Sequence, residues 1–502
     1  MHKRGALAPA IRIFTKNKYG RTIDFQQKVF YNELTSILVT STKAKVRRQV
    51  MKFLNEDELL GGGEAIRNDA LRIIQAGIER VIPYDAVKRL IVWDGHILQI
   101  GEKEIHLDEE GDIYVVGAGK GSFPMAQALD EIFGERIKKG FVAVKEGEKR
   151  RLKYIEIFES SHPIPDERSI TAARRIKEIL DLAGEKDLIF AAITGGSSAL
   201  VNMPADGISL DDLENINGQL LKCGAAIGKI NAVRKHICLM KGGRVVQYGQ
   251  PARVITLTFD TAPPDMPWPD MCLPDPTSFE DAINVLKTYN LWDDTPESIR
   301  SYLEKGLEHP ELETVKTLEG MNQAVYSVAD PSLACQAAAD KAQELGYEAH
   351  ILSTTLEGEA KDAGIFFAGL TDEILSNGRP FTAPCALISG GETTVTIYGE
   401  CGVGGPNQET ALGFLNKVRH QDGYVCISID TDGTDGPCDI AGGMVDGSMK
   451  RALKEKEINL NHSLRAHESS MVLKELGGAI YTGHTGTNVM NLRVVVIDGR
   501  LN

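Results

Sequence analysis

Lys120 has the setting that most suggests chemistry. It lies in the stretch DIYVVGAGKGSFPM (112–125), where a short apolar run stops at three alternating glycines, Gly117, Gly119 and Gly121. The residues that follow are apolar at helical spacing, so strand, glycine turn and helix succeed one another. A helix N-terminus offers unpaired N–H groups, and a lysine in the turn adds a full positive charge. Gly119, Lys120, Gly121 and Ser122 therefore read as a grip for phosphate or carboxylate. The stretch is not a P-loop, because Tyr114 stands at the first glycine position and Gly121 follows the lysine. Nor is it the dinucleotide fingerprint, whose third glycine is replaced by Ser122. The competing reading is a tight turn with a surface lysine.

A second apolar run, 187–193, enters Thr194-Gly-Gly-Ser-Ser-Ala199. Gly195, Gly196, Ser197 and Ser198 could cradle an oxyanion with backbone N–H groups and two hydroxyls. The same residues approximate an esterase nucleophile elbow, except that Ala199 takes the place of the last glycine. Arg234, Lys235, Lys241 and Arg244 place four cations within eleven residues, around Gly242 and Gly243. That is an anion-binding cluster or a solvated helix face. Asp430, Asp432 and Asp435 occupy a glycine loop after another apolar run, a seat for Mg²⁺ held partly by water. Asp-Gly turns are also ordinary chain punctuation.

The elements that must carry these residues form an α/β pattern. A helix is expected over 64–90, a hairpin over 91–107, strands at 140–144 and 254–259, and helices over 167–182 and 211–227. Residues 278–318 read as helical and charged, with a linker near 311–322. A second α/β region follows, with helices at 332–345 and 358–376 and strands at 348–353, 385–388, 395–398, 425–430 and 492–497. Gly, Ser, Thr and Asp cluster at strand ends in both halves, where open α/β sheets bind ligands.

The chain has 502 residues, enough for two or three domains. A net charge of −14 excludes a general nucleic-acid binder. Eight cysteines form no Cys-x-x-Cys pair, and no apolar run reaches membrane-spanning length, so a reducing, cytoplasmic setting is expected. Up to Lys52 there are twelve Lys or Arg against two acids, Asp24 and Glu33. This basic start reads as an appended, partly helical segment without a catalytic role, with a targeting segment, a disordered arm or an upstream start codon as alternatives.

Taken together, the motifs resemble the glycerate 2-kinase family whose C-terminal half is the MOFRL domain, also labelled hydroxypyruvate reductase. The matching stretches are VVGAGKGS (115–122), SHPIPDERS (161–169), ITGGSSAL (193–200), INAVRKH (230–236), KGGR (241–244), LEGEAK (356–361), SGGE (389–392), GGPNQE (404–409), DTDGTDGPCDIAGGMVDG (430–447) and TGHTGTNVMNL (482–492). The resemblance implies two α/β domains, the N-terminal one Rossmann-like and doubly wound, with the active-site cleft between them. The implied divisions are an extension at 1–60, a first domain at 61–315 and a MOFRL-type domain at 316–502. It implies ATP- and Mg²⁺-dependent phosphorylation of the 2-hydroxyl of D-glycerate or a related sugar acid. Lys120, Arg234 and Asp260 would then be catalytic. Gly119, Gly121, Ser122, Gly195, Gly196, Ser197, Ser198, Lys241, Asn407, Glu409, Thr485, Thr487 and Asn488 would bind substrate or phosphate, and Asp430, Asp432 and Asp435 the metal. The implied partners are a small sugar acid and a nucleotide, with no nucleic acid and no membrane; a homodimer is left open.

Three stretches depart from the family pattern. Where the family reads GGRNQE this chain has Pro406, and the family's SDVPGDD and ASGPT become Phe259-Asp-Thr-Ala-Pro-Pro-Asp265 and Trp268-Pro-Asp-Met-Cys272. An arginine that stabilises transferring phosphoryl charge is worth roughly 10³–10⁵ in rate. The alternative to a kinase is therefore a non-catalytic relative that binds a nucleotide or sugar acid; a serine hydrolase and a reductase are weaker readings.

Overall fold

The computed structural model describes residues 15–16, 22–23, 51–61, 65–106, 111–162, 164–259 and 271–498. The chain divides into two units, 1–49 and 50–502. Of the first, only the antiparallel pairing of Thr15–Lys16 with Thr22–Ile23 is described; everything below concerns the second.

Six strands form the first sheet: β1 (Ile113–Ala118), β2 (Ile137–Lys145), β3 (Glu156–Ser160), β4 (Leu188–Ile193), β5 (Arg253–Phe259) and β6 (Gln323–Ala329). Every pairing is parallel, in the order β6-β5-β4-β1-β2-β3. This is the doubly wound Rossmann order, which reverses direction between β1 and β4. Both of those strands are buried along their whole length, as strands covered by helices on both faces must be.

The second sheet contains β7 (Glu348–Ser353), β8 (Cys385–Gly391), β9 (Tyr424–Asp430), β10 (Gly442–Asp446), β11 (Ala479–Ile480) and β12 (Asn491–Ile497). Its order is β7-β8-β12-β9-β10-β11, and only β7 and β8 run parallel. The protein thus has two α/β domains. One hydrophobic cluster joins them, running from Ile113, Val115 and Phe190 of the first sheet to Ile427, Val494 and Val496 of the second.

The divisions expected from the sequence do not follow this packing. Helix α1 (Ala65–Arg80) was expected with the first domain, yet it packs on β12, β9 and helix Pro331–Glu344. Gly77 permits that approach, since a Cβ there would stand 2.5 Å from Leu492 Cδ2. Conversely β6, inside the stretch read as the second domain (316–502), completes the first sheet. Residues 51–60, expected in the extension, contribute Met51, Phe53 and Leu59 to the core.

Locally, the expected helix over 64–90 is broken, because Pro83 starts a new helix α2 (Pro83–Leu90). The hairpin is a three-stranded meander, Ile91–Trp93, Ile97–Ile100 and Lys103–His106. Residues 395–398 form no strand: Val395, Ile397 and Tyr398 have no strand partner among the described residues, and Tyr398 is 88% exposed. The 278–318 stretch resolves into helices Phe279–Thr288 and Glu297–Glu308.

Candidate active site

The two glycine turns noted in the sequence meet where the strand order reverses. β1 and β4 are neighbours, so the turns that follow them lie side by side at the carboxyl end of the sheet. They are stitched together: Thr194 N–H donates to Ala118 O (3.0 Å), Lys120 N–H to Gly195 O (2.9 Å), and Gly121 N–H to Thr194 Oγ1 (3.0 Å). Gly119, at φ +140°, is required here, because a Cβ would overlap Thr194 Oγ1. Helix α3 (Ser122–Phe133) then leads away beneath Lys120. Its side chain is left exposed, and its ammonium has no hydrogen bond or ion pair among the described residues.

Lys120 borders a cleft of about 630 Å³ whose walls come from both domains. The first domain supplies Lys120, Gly121, Arg150, Thr194, Gly195 and Gly196; the second supplies Glu392, Asp432, His484, Thr487 and Asn488. Asp432 is fixed by Thr434, whose backbone N–H and hydroxyl both donate to Oδ1 at 2.8 Å, and by Asn488 Nδ2 at 3.2 Å. Burial raises the Glu392 carboxyl, and the charges of Asp435 and Asp432 add to the rise; Arg493 opposes it. Arg493 is 1% exposed, donates to Thr393 Oγ1 and Asn491 Oδ1, and has two guanidinium nitrogens without hydrogen-bond partners. Arg150 lies 4.0 Å over the Phe123 ring and pairs with both oxygens of Glu148.

A second cavity of about 460 Å³ adjoins the cleft, and Gly196 borders both. At φ +91°, Gly196 leaves a side chain little room: a Cβ would come 3.1 Å from Lys120 Cγ and 3.2 Å from His162 Nε2, so both would have to give by a few tenths of an ångström. His162 lines this cavity with Ser198, Asn217, Arg234 and Lys241. Its pKa is lowered by burial and by the charges of Lys120 and Lys145. Arg234 and Lys241, expected to hold carboxylate or phosphate, therefore line this second cavity, while Lys120 lines the cleft.

Several expected ligand-binding side chains are instead consumed by the fold. Ser122 is buried and donates to Ala192 O, and Ser197 is 2% exposed, whereas an elbow nucleophile must be presented to substrate. Asn407 donates to Asp435 and accepts from Ser428 Oγ, inside the second domain. Glu409 is 1% exposed and bound to His467 Nδ1 at 2.8 Å. Thr485 donates to Thr431 O at 2.5 Å; Thr487 Oγ1 is spent on Val81 O, although the residue borders the cleft. Lys235 and Arg244 are also internal, paired with Asp275 and with backbone carbonyls. Asp260 lies outside the described residues.

Residues 69–304 match the Domain of unknown function (DUF4147), and residues 385–491 match the MOFRL family. Over 438 residues the chain is 41% identical to the glycerate 2-kinase of Pyrococcus horikoshii, covering 87% of this chain and 98% of that protein. The chain belongs to the glycerate 2-kinase family. A crystal structure of a Pyrococcus horikoshii protein superposes with a TM-score of 0.82 at 41% identity, covering 87% of this chain and 99% of that one. The glycerate kinase structure from Thermotoga maritima gives 0.76 at 35% identity, covering 86% and 99%.

Within this member of the glycerate 2-kinase family, the expected metal ligands do not converge. Asp435 is occupied by Asn407 and Gln408, and Asp430 accepts from Asp432 N–H and Asn491 Nδ2. Burial and the Asp432 charge raise the Asp430 carboxyl. Among the described residues no group of three ligating side chains is arranged to hold a metal. Among the described residues that line the cleft, Asp432 and Glu392 are the carboxylates.

Sequence reasoning about single residues missed His162, Glu392, His484 and Arg150. The first three lie in quoted motifs, SHPIPDERS, SGGE and TGHTGTN, and the motif boundaries were the available signal. Arg150 lies in a charged loop with no such signal. Pro406 takes the first helical position of Pro406–Lys417, where its missing N–H costs nothing.

Proposed function

We propose that the chain is an ATP-dependent kinase acting on the 2-hydroxyl of D-glycerate or a related small sugar acid. The observation that carries this reading is Lys120: an exposed, unpaired cation at the sheet's reversal point, on a cleft whose other domain contributes Asp432 and Glu392. Phosphoryl transfer asks mainly for positioning and charge neutralisation. In this reading the acceptor's 2-oxygen attacks the γ-phosphorus as the bond to the β–γ bridging oxygen breaks, and ADP departs. Lys120 neutralises charge on the transferring group. Glu392, whose carboxyl is raised by its surroundings, takes the hydroxyl proton.

The test is ADP release coupled to a reporter, with Mg-ATP and a panel of small hydroxy acids, the product position being assigned by phosphorus NMR. Turnover of D-glycerate to the 2-phosphate that disappears in Lys120→Ala supports the proposal; a folded protein that turns over no acceptor ends it. The second reading, a non-catalytic binder, rests on Pro406 at the position of a family arginine. Ligand-dependent thermal stabilisation without turnover favours it.

A further inference from the structure

The cavity beyond Gly196 has a chemistry unlike that of the cleft. Ile164 and Leu221, from two separate elements, line it, yet they are 64% and 65% exposed. Large aliphatic side chains left open at a cavity mouth lose stabilisation unless something apolar covers them. Deeper inside sits Arg234. Its Nε donates to Asn217 Oδ1 at 2.7 Å, and no carboxylate pairs with it among the described residues. Burial holds its pKa below the ordinary arginine value. A half-buried guanidinium without an anion is costly unless a ligand supplies one. Lys241 does not share this need, because Asn202 Oδ1, Cys238 Sγ and Val201 O accept from its three N–H groups. A further polar group on this cavity is unsatisfied: the Ser198 hydroxyl is buried and has no hydrogen-bond partner among the described residues.

An apolar mouth, a cationic interior and a border shared at Gly196 with the cleft of Lys120 match one ligand class. A nucleoside triphosphate carries a flat base at one end and a polyanion at the other. A small hydroxy acid has no surface with which to cover Ile164 and Leu221, and the cavity's 460 Å³ lies within the range that holds drug-sized ligands. We infer that this cavity seats the nucleoside of the phosphoryl donor, with its base between Ile164 and Leu221. Arg234 meets the proximal phosphates, and the chain of phosphates crosses Gly196 to reach Lys120. The acceptor then occupies the cleft on the far side. This rests on the kinase reading and assigns its two substrates to separate cavities.

Leu221→Asp and Ile164→Asp test it in the full chain, since both side chains are largely exposed and their loss leaves the core intact; thermal melting confirms folding. ADP affinity is measured by isothermal titration, and KM for ATP and for D-glycerate are measured separately. The expected result is at least a tenfold loss of ADP affinity and a tenfold rise in KM for ATP, with KM for D-glycerate within twofold of the parent. A rise confined to KM for D-glycerate, an equal rise in both, or no change in either overturns the assignment. If the parent protein turns over no acceptor, the kinase reading fails, while the ADP titration of parent and variants still decides whether the cavity binds nucleotide.

Discussion

Asn407 donates twice to Asp435: its backbone N–H and its Nδ2 both reach Oδ1 at 3.0 Å. Gln408 makes the matching pair to Oδ2, also at 3.0 Å. Asp435 therefore anchors the first turn of helix Pro406–Lys417, although it was expected at a metal. Asp435→Ala leaves buried donors unsatisfied and removes a helix anchor, and should cost about 3 kcal/mol or more in chemical denaturation. Asp432→Ala loses only the turn bonds from Thr434 and the Asn488 contact. It should cost about 1 kcal/mol while lowering kcat/KM by roughly 10²-fold or more. Equal destabilisation by both would contradict this division of labour.

Lys120→Ala should leave stability unchanged within about 0.5 kcal/mol, because the side chain has no partner to lose. Turnover should fall by roughly 10³-fold or more if the amine meets transferring charge. Steady-state kinetics alongside a urea melt separates the two quantities.

Gly196→Ala should act on geometry. The left-handed backbone conformation costs about 1–2 kcal/mol for an alanine, and the new methyl crowds Lys120 and His162. Lys120 and His162 then have to give by a few tenths of an ångström, a fraction of the ~1 Å displacement that can cost roughly 10²-fold. A melting temperature lowered by a few degrees together with a several-fold loss of kcat is the expected pattern; parent-like kcat would show that Lys120 tolerates the shift.

Acid should weaken the first domain through Glu313. Burial alone would raise its carboxyl, but bonds from His236 (2.7 Å) and the Thr314 N–H hold it down to about 2 against an ordinary 4.5. With the folded value below the unfolded one, the stabilisation is complete above pH 4.5 and lost as pH falls toward 2. Glu313→Gln should be less stable at neutral pH and show a shallower loss over that interval. A parallel pH profile would assign the acid sensitivity elsewhere.

Much of the site was legible because its signals are local. Strand, glycine turn and helix occupy consecutive residues, so the turns at Lys120 and at Gly195 could be read without knowing what lay beside them. The same locality explains the errors. Residues 395–398 alternate like a strand but find no strand partner among the described residues, and Gln323–Ala329 reads as part of the second domain (316–502) because its pairing with β5 lies some seventy residues away in sequence.

By itself, the sequence determined that Lys120 would leave a buried strand on a glycine turn, and that a second such turn would exist. Tertiary structure alone decided that β1 and β4 are adjacent, which sets Lys120 N–H on Gly195 O and brings Lys120 and His162 against Gly196. It also decided that Arg234 lies in a different cavity from Lys120, and that Asn407, Glu409 and Asp435 face inward. These outcomes depend on contacts between residues tens to hundreds apart, and a polar side chain shows its role only once its partners are in place.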